Sequence, residues 1–381
     1  MNQTNPFLNG EWICDQNQRV FYSKEIYQYP INHGTIKINH LPTFNNFLPI
    51  LCNYPSTTKI TDNIMFFDIE TTNLCTNSSC FVFLIGLCWF ENSGLTITQL
   101  FLDDFSSEPF FLSLLEKIID KFSMIATYNG KSFDVPAIKT RLIMNGMNDI
   151  FVDKVHFDLL HISRIIYKNK LSSFKLNNIE EAVLEFKRSY DDIPGWLIPQ
   201  VYFDYLETGQ TGLLNNIFYH NKIDVISLAS LFFLFDRLMD SSSVTKYYHN
   251  EDLLGIVRLI ARTGNYKVAD QYSSNIFQKH TQLKNMKHLD VKTLEELAMI
   301  SKKIGNWGKA VNIWDLAVER GSFFACVELA KFFEHKEKDY EKAIEYVKRA
   351  LNILTTQKII EPSPDDLDKR FNRLSYKKRR T

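Results

Sequence analysis

Three short motifs place four carboxylates where hard divalent cations could be held. In Phe66-Phe67-Asp68-Ile69-Glu70-Thr71-Thr72 an apolar run closes on an Asp-x-Glu pair. Side chains i and i+2 of a strand share a face, so Asp68 and Glu70 project together. Two carboxylates side by side at the end of an apolar strand repel each other and are costly to bury unpaired. Mg2+ or Mn2+, which prefer oxygen ligands, would remove that conflict; a solvated strand end is the plain alternative. In Tyr128-Asn129-Gly130-Lys131-Ser132-Phe133-Asp134-Val135-Pro136 a strand ends, glycine turns the chain and Asp134 falls at a helix N-terminus. Capping alone would explain an Asp there. In Tyr219-His220-Asn221-Lys222-Ile223-Asp224-Val225, His220 and Asp224 are four apart and share a helix face. An Asp opening a run as apolar as Asp224–Leu234 fits a metal ligand beside a general base, or else a surface His–Asp pair.

The elements that must position these residues follow from periodicity. Ile64–Ile69, Phe81–Phe90 and Leu95–Leu102 read as three strands, the last two joined by Asn92-Ser93-Gly94. Helices are predicted over Phe110–Phe122 and Val135–Met144, with strands at Met124–Tyr128 and around Val155–Phe157. The order β-β-β-α-β-α-β-α describes a mixed α/β sheet of five strands with an antiparallel hairpin at one edge. Leu176–Phe186 reads as a helix, Ile193–Pro199 as a Pro-broken loop, and residues 213–238 as a long helix. Residues 1–60 hold short β-like pieces at Arg19–Tyr22 and Gly34–Ile38 and are expected to be an irregular segment packed on a domain spanning 61–242.

Beyond residue 250 three fragments match: Gly264-Asn265-Tyr266-Lys267-Val268-Ala269, Gly305-Asn306-Trp307-Gly308-Lys309-Ala310 and Lys338-Asp339-Tyr340-Glu341-Lys342-Ala343. Their spacing suggests tetratricopeptide-like helical repeats over 250–355, with an insertion near Lys279–Leu289. An ordinary helical subdomain is the alternative. The polar tail 356–381 ends in Lys377-Lys378-Arg379-Arg380 and is expected to be disordered.

The chain of 381 residues balances 44 Lys and Arg against 44 Asp and Glu, so any nucleic-acid partner must meet a local basic groove. Six scattered cysteines include no second pair to complete a zinc site with Cys75 and Cys80, which suggests reduced thiols. No basic start precedes an apolar run at the N-terminus, and the apolar runs fall short of the ~20 residues of a spanning helix. A cytoplasmic protein without a membrane partner is expected.

Together the three motifs resemble the DEDD exonuclease superfamily of ribonuclease-H-like fold, in the order D-x-E, N-x-x-x-F-D and a final Asp preceded by His or Tyr. The chain is more closely similar to the YprB-like family, through Arg188…Asp191-Asp192-Ile193-Pro194-Gly195 and His220-Asn221-Lys222-Ile223-Asp224. In DEDD members the water-positioning residue is Tyr four before the last Asp or His five before it; here His220 and Tyr219 reverse both. Helical geometry favours His220. The resemblance implies a ribonuclease-H-like domain followed by tetratricopeptide-like helices. It implies 3′–5′ exonuclease activity with two divalent cations held by Asp68, Glu70, Asp134 and Asp224, and His220 acting on water. It further implies Asn129, Lys131 and Thr71 as substrate contacts, and a single-stranded or frayed 3′ end of DNA or RNA as substrate. Phe133 reads as core, and Trp196 as either a stacking surface or core. The repeats are expected to hold a protein partner or pack on the nuclease domain. A non-catalytic nucleic-acid-binding module and a helical-repeat adaptor are the rival readings.

Overall fold

A seven-stranded mixed sheet organises the N-terminal half; from one edge to the other its strands are Gly10–Asp15, Gln18–Gln28, Gly94–Phe101, Val82–Glu91, Ile64–Thr71, Met124–Thr127 and Val155–Asp158. The computed structural model describes residues 10–43, 64–73, 80–189, 192–239, 250–280, 289–357 and 364–380. Two units are present, Met1–Ser243 and Val244–Thr381.

The five expected strands are β5 (Ile64–Thr71), β6 (Val82–Glu91), β7 (Gly94–Phe101), β8 (Met124–Thr127) and β9 (Val155–Asp158). Two more, β1 (Gly10–Asp15) and β2 (Gln18–Gln28), come from the stretch expected to be irregular. Pairing overrides its mixed composition. β2 runs antiparallel to β7 from Phe21 opposite Phe101 to Gln28 opposite Gly94, and Val20 and Phe21 enter the core. A small separate hairpin, β3 (Ile31–His33) and β4 (Ile36–Ile38), follows.

β6 is buried over most of its length, as expected of a central strand covered on both faces. One cover is α6 (Leu214–Leu238), where 18 of 25 residues are buried. This is the one helix among the described residues with the length and apolarity of a membrane span, longer than the uninterrupted apolar runs suggest. With 72% of its apolar window inside the protein, it is a core helix. The predicted helix over 176–186 is shorter and more loosely wound: α4 (Leu176–Ile179) passes into a wider π turn, Glu180–Leu184, and stops at Glu185 with φ +53°.

β5, β8 and β9 are parallel, so their C-terminal ends share one edge of the sheet. Between β8 and β9 lies α2 (Asp134–Met144), which Arg141 ties to α1 (Glu108–Ile119). The Arg141 guanidinium donates Nε and Nη2 to the two Glu108 oxygens, both at 2.6 Å, with both side chains buried. Cys14, Cys88 and Cys326 are free, but Cys80 is disulfide-bonded, unlike the reduced thiols expected. Cys52 and Cys75 lie outside the described residues.

In the second unit, α7 (Asn250–Arg262) to α12 (Tyr340–Gln357) stack in sequence. The three matching fragments are its hairpin turns. Gly264 and Gly305 end helices with φ of +84° and +88°, and Lys338 takes the same left-handed position at +57°. Asn306 then caps the next helix by accepting from the Lys309 N–H, and Asp339 accepts from the Lys342 N–H. Ala269, Ala310 and Ala343 are fully buried. Most of the insertion expected near residues 279–289 lies outside the described residues. The tail expected to be disordered instead carries α13 (Pro364–Lys378). The buried Glu334 carboxylate accepts from Arg370, Arg373 and Lys377 at 2.8–3.1 Å, a long-range anchor that composition does not reveal.

Replacing Arg141 with Met should destabilise the protein by about 3–5 kcal/mol, because Glu108 would keep a buried charge without its ionic partner. Chemical denaturation measures this; a loss below about 1 kcal/mol would show that the pair does not secure α2.

Candidate active site

Where β5, β8 and β9 end, a cavity of about 250 Å3 opens, lined by Asp68, Thr71, Asn129, Phe133 and Asp134 among others. The crevice beyond the carboxyl ends of parallel strands is the usual place for a site in such sheets. β5 changes register against β6 between Glu70 and Thr71 as it enters this edge, and irregularities of that kind gather beside active sites.

Asp68 lies opposite Gly86 of β6. Over Gly86 sits Asn221 of α6, so close that a Cβ at Gly86 would fall 2.2 Å from Asn221 Oδ1. Asn221 is fully buried and donates Nδ2 to both the Asp68 carbonyl (3.2 Å) and Asp68 Oδ2 (3.1 Å). Gln99 on β7 orients it, donating Nε2 to Asn221 Oδ1 and to the Phe218 carbonyl, each at 2.9 Å. The β8–α2 turn is fixed from β9: Asp158 accepts from the backbone N–H of Asn129 (2.8 Å), Lys131 (3.2 Å) and Leu160 (3.1 Å). Asn129 stands at φ +64°, a conformation Asn tolerates better than most residues.

On the α6 side, Arg188 draws together four groups. It donates Nε and Nη2 to Glu180 at 2.6 and 2.7 Å and Nη2 to Asp224 Oδ1, and its Nη1 lies 3.5 Å from Asp192 Oδ2 and 3.2 Å from His220 Nδ1. His220 Nδ1 is nearer to Asp192 Oδ1, at 2.7 Å, and Nε2 lies 3.6 Å from Asp224 Oδ2. The Asp192 bond holds the proton on Nδ1 and leaves Nε2 toward Asp224. Tyr219 turns away; its hydroxyl accepts from the Ser189 N–H.

Asp68 and Glu70 are half-buried, and Asp134 and Asp224 are buried. Loss of water, then the charges of Asp224 and Asp134, pushes the Asp68 and Glu70 carboxyls well above their ordinary range. Burial likewise pushes Asp134 up to about 7, against hydrogen bonds from the N–H groups of Asp134 and Ile69. Burial lowers His220, but its bond to Asp192 and the Asp224 charge outweigh that and raise it. Four hard oxygen donors crowd together with Arg188 at one margin, a set whose chemistry fits divalent cations. Among the described residues, no three such side chains already close around a common point; Arg188 and Asn221 still engage Asp224 and Asp68.

The expected residues divide clearly. Asp68, Glu70, Asp134 and Asp224 influence one another, and His220 stands beside Asp224. Thr71 and Asn129 line the cavity, with Thr71 Oγ1 donating to the Asn73 carbonyl. Lys131 enters through its backbone bond to Asp158, and its side chain is not among those lining the cavity. Phe133, read as core, is 55% exposed because the turn before α2 faces it outward, and Trp196 is 80% exposed. Sequence reasoning missed Asp158, Gln99 and Glu180. Asp158 closes a short apolar strand and caps the next helix, a readable signal; Glu180 meets Arg188 only through the π turn. Asp191 lies outside the described residues.

Residues 65–235 match a family model of the RNase H superfamily. Over 297 residues the chain is 30% identical to protein YprB of Bacillus subtilis (strain 168), covering 76% of this chain and 70% of YprB. The chain belongs to the YprB-like family of the RNase H superfamily. A family B DNA polymerase from the hyperthermophilic archaeon Pyrobaculum calidifontis is also similar, at 15% identity and TM-score 0.33, over 64% of this chain and 29% of the polymerase. The RNase H superfamily match supports a nuclease-type function.

Above pH 6.5, metal-free protein should lose thermal stability as pH rises. Asp134 binds its proton more tightly folded than unfolded, so its contribution is lost as pH climbs through about 7. His33 and His156, both lowered to about 4, are neutral when folded throughout that range, while His220, which the fold also holds protonated more tightly, adds a loss of the same sign. Melting curves at pH 6.5 and 8 in EDTA test this: Asp134→Asn should flatten the slope and Mn2+ should restore stability at pH 8. An equal slope in the variant would contradict the assignment.

Proposed function

We propose that this YprB-like protein is a metal-dependent 3′–5′ exonuclease acting on single-stranded or frayed nucleic-acid ends. The observation that carries the reading is the crowding of Asp68, Glu70, Asp134 and Asp224 at the strand ends, with His220 beside Asp224. The family resemblance of the three motifs supports the exonuclease polarity.

Asp68, Glu70, Asp134 and Asp224 are the residues that would hold a pair of divalent cations. When bound, such a pair supplies an acidified water and charge stabilisation of the leaving oxygen. The chain's own residues do the rest. His220 Nε2 takes the proton of the attacking water while Asp192 keeps the imidazole turned by its Nδ1 bond. Asn221 and Gln99 hold Asp68 against the repulsion of its neighbours. Arg188 offsets the charge of Asp224 and Glu180, and can move toward a phosphate once Asp224 is otherwise engaged. The terminal nucleotide enters beside Asn129 and Thr71, and the exposed Phe133 ring offers a base a stacking surface. In the second unit, the three helical hairpins support a tetratricopeptide-like assignment.

The test uses 5′-labelled single-stranded DNA and RNA with Mn2+, Mg2+ or EDTA. A metal-dependent ladder shortening from the 3′ end is expected, absent in Asp68→Ala, with His220→Ala slower by about 10²–10⁴-fold. No cleavage of either substrate by folded wild type would overturn the reading.

A further inference from the structure

The zero net charge of the chain conceals a division. Residues 1–243 hold 18 Lys and Arg against 26 Asp and Glu, whereas residues 244–381 hold 26 against 18. The first unit therefore carries −8 and the second +8. A polyanion is repelled overall by the unit with the candidate active site and attracted by the helical one.

The positive charge of the helical unit has an ordered part. In each hairpin the second helix opens with an aromatic residue: Tyr266, Trp307 and Tyr340. Over each ring lies a lysine from further along the chain. Lys303 Nζ is 4.9 Å from the Tyr266 ring, Lys336 Nζ is 5.3 Å from Trp307, and Lys377 Nζ is 5.9 Å from Tyr340. The same arrangement thus recurs in successive hairpins and marks one edge of the stack, where the inter-helix turns lie. The aromatic rings keep part of their surface in solvent, and Lys303 and Lys336 are exposed.

Several acidic side chains elsewhere in this unit are already engaged. Glu328 takes Lys302 and Lys331, Asp270 takes Lys309, and Glu334 takes Arg370, Arg373 and Lys377. Among the described residues Lys303 and Lys336 have no carboxylate within ion-pair reach; they meet Tyr266 and Trp307 instead. Trp307 is itself stacked on Phe332, with centroids 5.4 Å apart, so the ring is held firmly at this edge with part of it in solvent. Cations beside such partly exposed rings, repeated along one edge, offer a single-stranded nucleic acid charge for its phosphates and aromatic surface for its bases.

We propose that the helical unit is a single-stranded nucleic-acid-binding surface, centred on Lys303, Lys336, Tyr266 and Trp307, which supplies affinity that the acidic nuclease unit lacks. A protein partner or an anionic membrane would have a different signature in the same experiment. The proposal deepens the nuclease reading but does not require cleavage, so the two can fail separately.

The experiment is fluorescence anisotropy of labelled 30-nucleotide oligo(dT) and oligo(U) with the full chain in EDTA, across a series of NaCl concentrations. Lys303→Gln/Lys336→Gln, which keeps most of each side-chain stem, should weaken binding roughly tenfold. It should also flatten the salt dependence by about 1.4 in log–log slope, because two phosphates would no longer be neutralised. Trp307→Phe should remove most of the tryptophan quenching produced by the oligonucleotide. Circular dichroism and melting temperature check folding, and Lys303→Arg/Lys336→Arg should retain binding if the charge matters. Oligo(dU) measured beside oligo(U) identifies the preferred sugar. Unchanged affinity and slope in the Gln variant would overturn the proposal. So would absence of oligonucleotide binding while phosphatidylserine vesicles or polyglutamate are bound. If binding behaves as expected but the metal-dependent ladder is absent, the surface stands and the nuclease reading falls.

Discussion

Mutual repulsion among carboxylates at one end of the sheet governs how this domain is built, because everything around the cluster must hold it in place without neutralising it. Three parallel strands deliver Asp68, Glu70, the turn before Asp134, and Asp158 to one edge. Burial raises the energy of each charge there, and each carboxylate raises that of the others. Compensation comes from fixed dipoles and one cation. Asn221, set by Gln99 and admitted by the missing side chain at Gly86, grips Asp68. Arg188 grips Asp224 and Glu180. A domain that merely needed stability would be better served by apolar residues at these places.

The same logic connects the elements. α6 is a core helix that also presents Phe218 and Asn221 to the sheet and His220 and Asp224 to the site. The π turn at Glu180–Leu184 places Glu180 where it meets both Arg188 and Ser227. His33 of the small hairpin reaches Ser227 as well, at 2.7 Å. The acidic character of this unit is therefore partly a consequence of its chemistry, and the opposite charge resides in the helical unit.

Much of the site was legible in the sequence because strand and helix periodicity are local. Asp68 with Glu70, and His220 with Asp224, follow from spacing alone, and the turn at Asn129-Gly130 announces Asp134. The strands β1 and β2 are legible only in part: Arg19–Tyr22 reads as a β-like piece, but the length of β2 comes from pairing with β7, and β1 from pairing with β2, more than from their own composition. The helix at Pro364–Lys378 is not legible for a similar reason: its anchor is Glu334, more than thirty residues earlier. Phe133 was misplaced because an aromatic beside a helix start usually packs inward, and here the turn faces it into the cavity mouth. Asp192 was visible as part of a motif, but its hold on His220 needs the fold.

The most direct test of the central claim is Mn2+ binding measured by titration calorimetry with electron paramagnetic resonance. Two Mn2+ are expected per wild-type chain, with binding largely abolished in Asp68→Asn while the fold persists. Wild-type protein that binds no Mn2+ at millimolar concentration, or Asp68→Asn that binds it unchanged, would contradict the account.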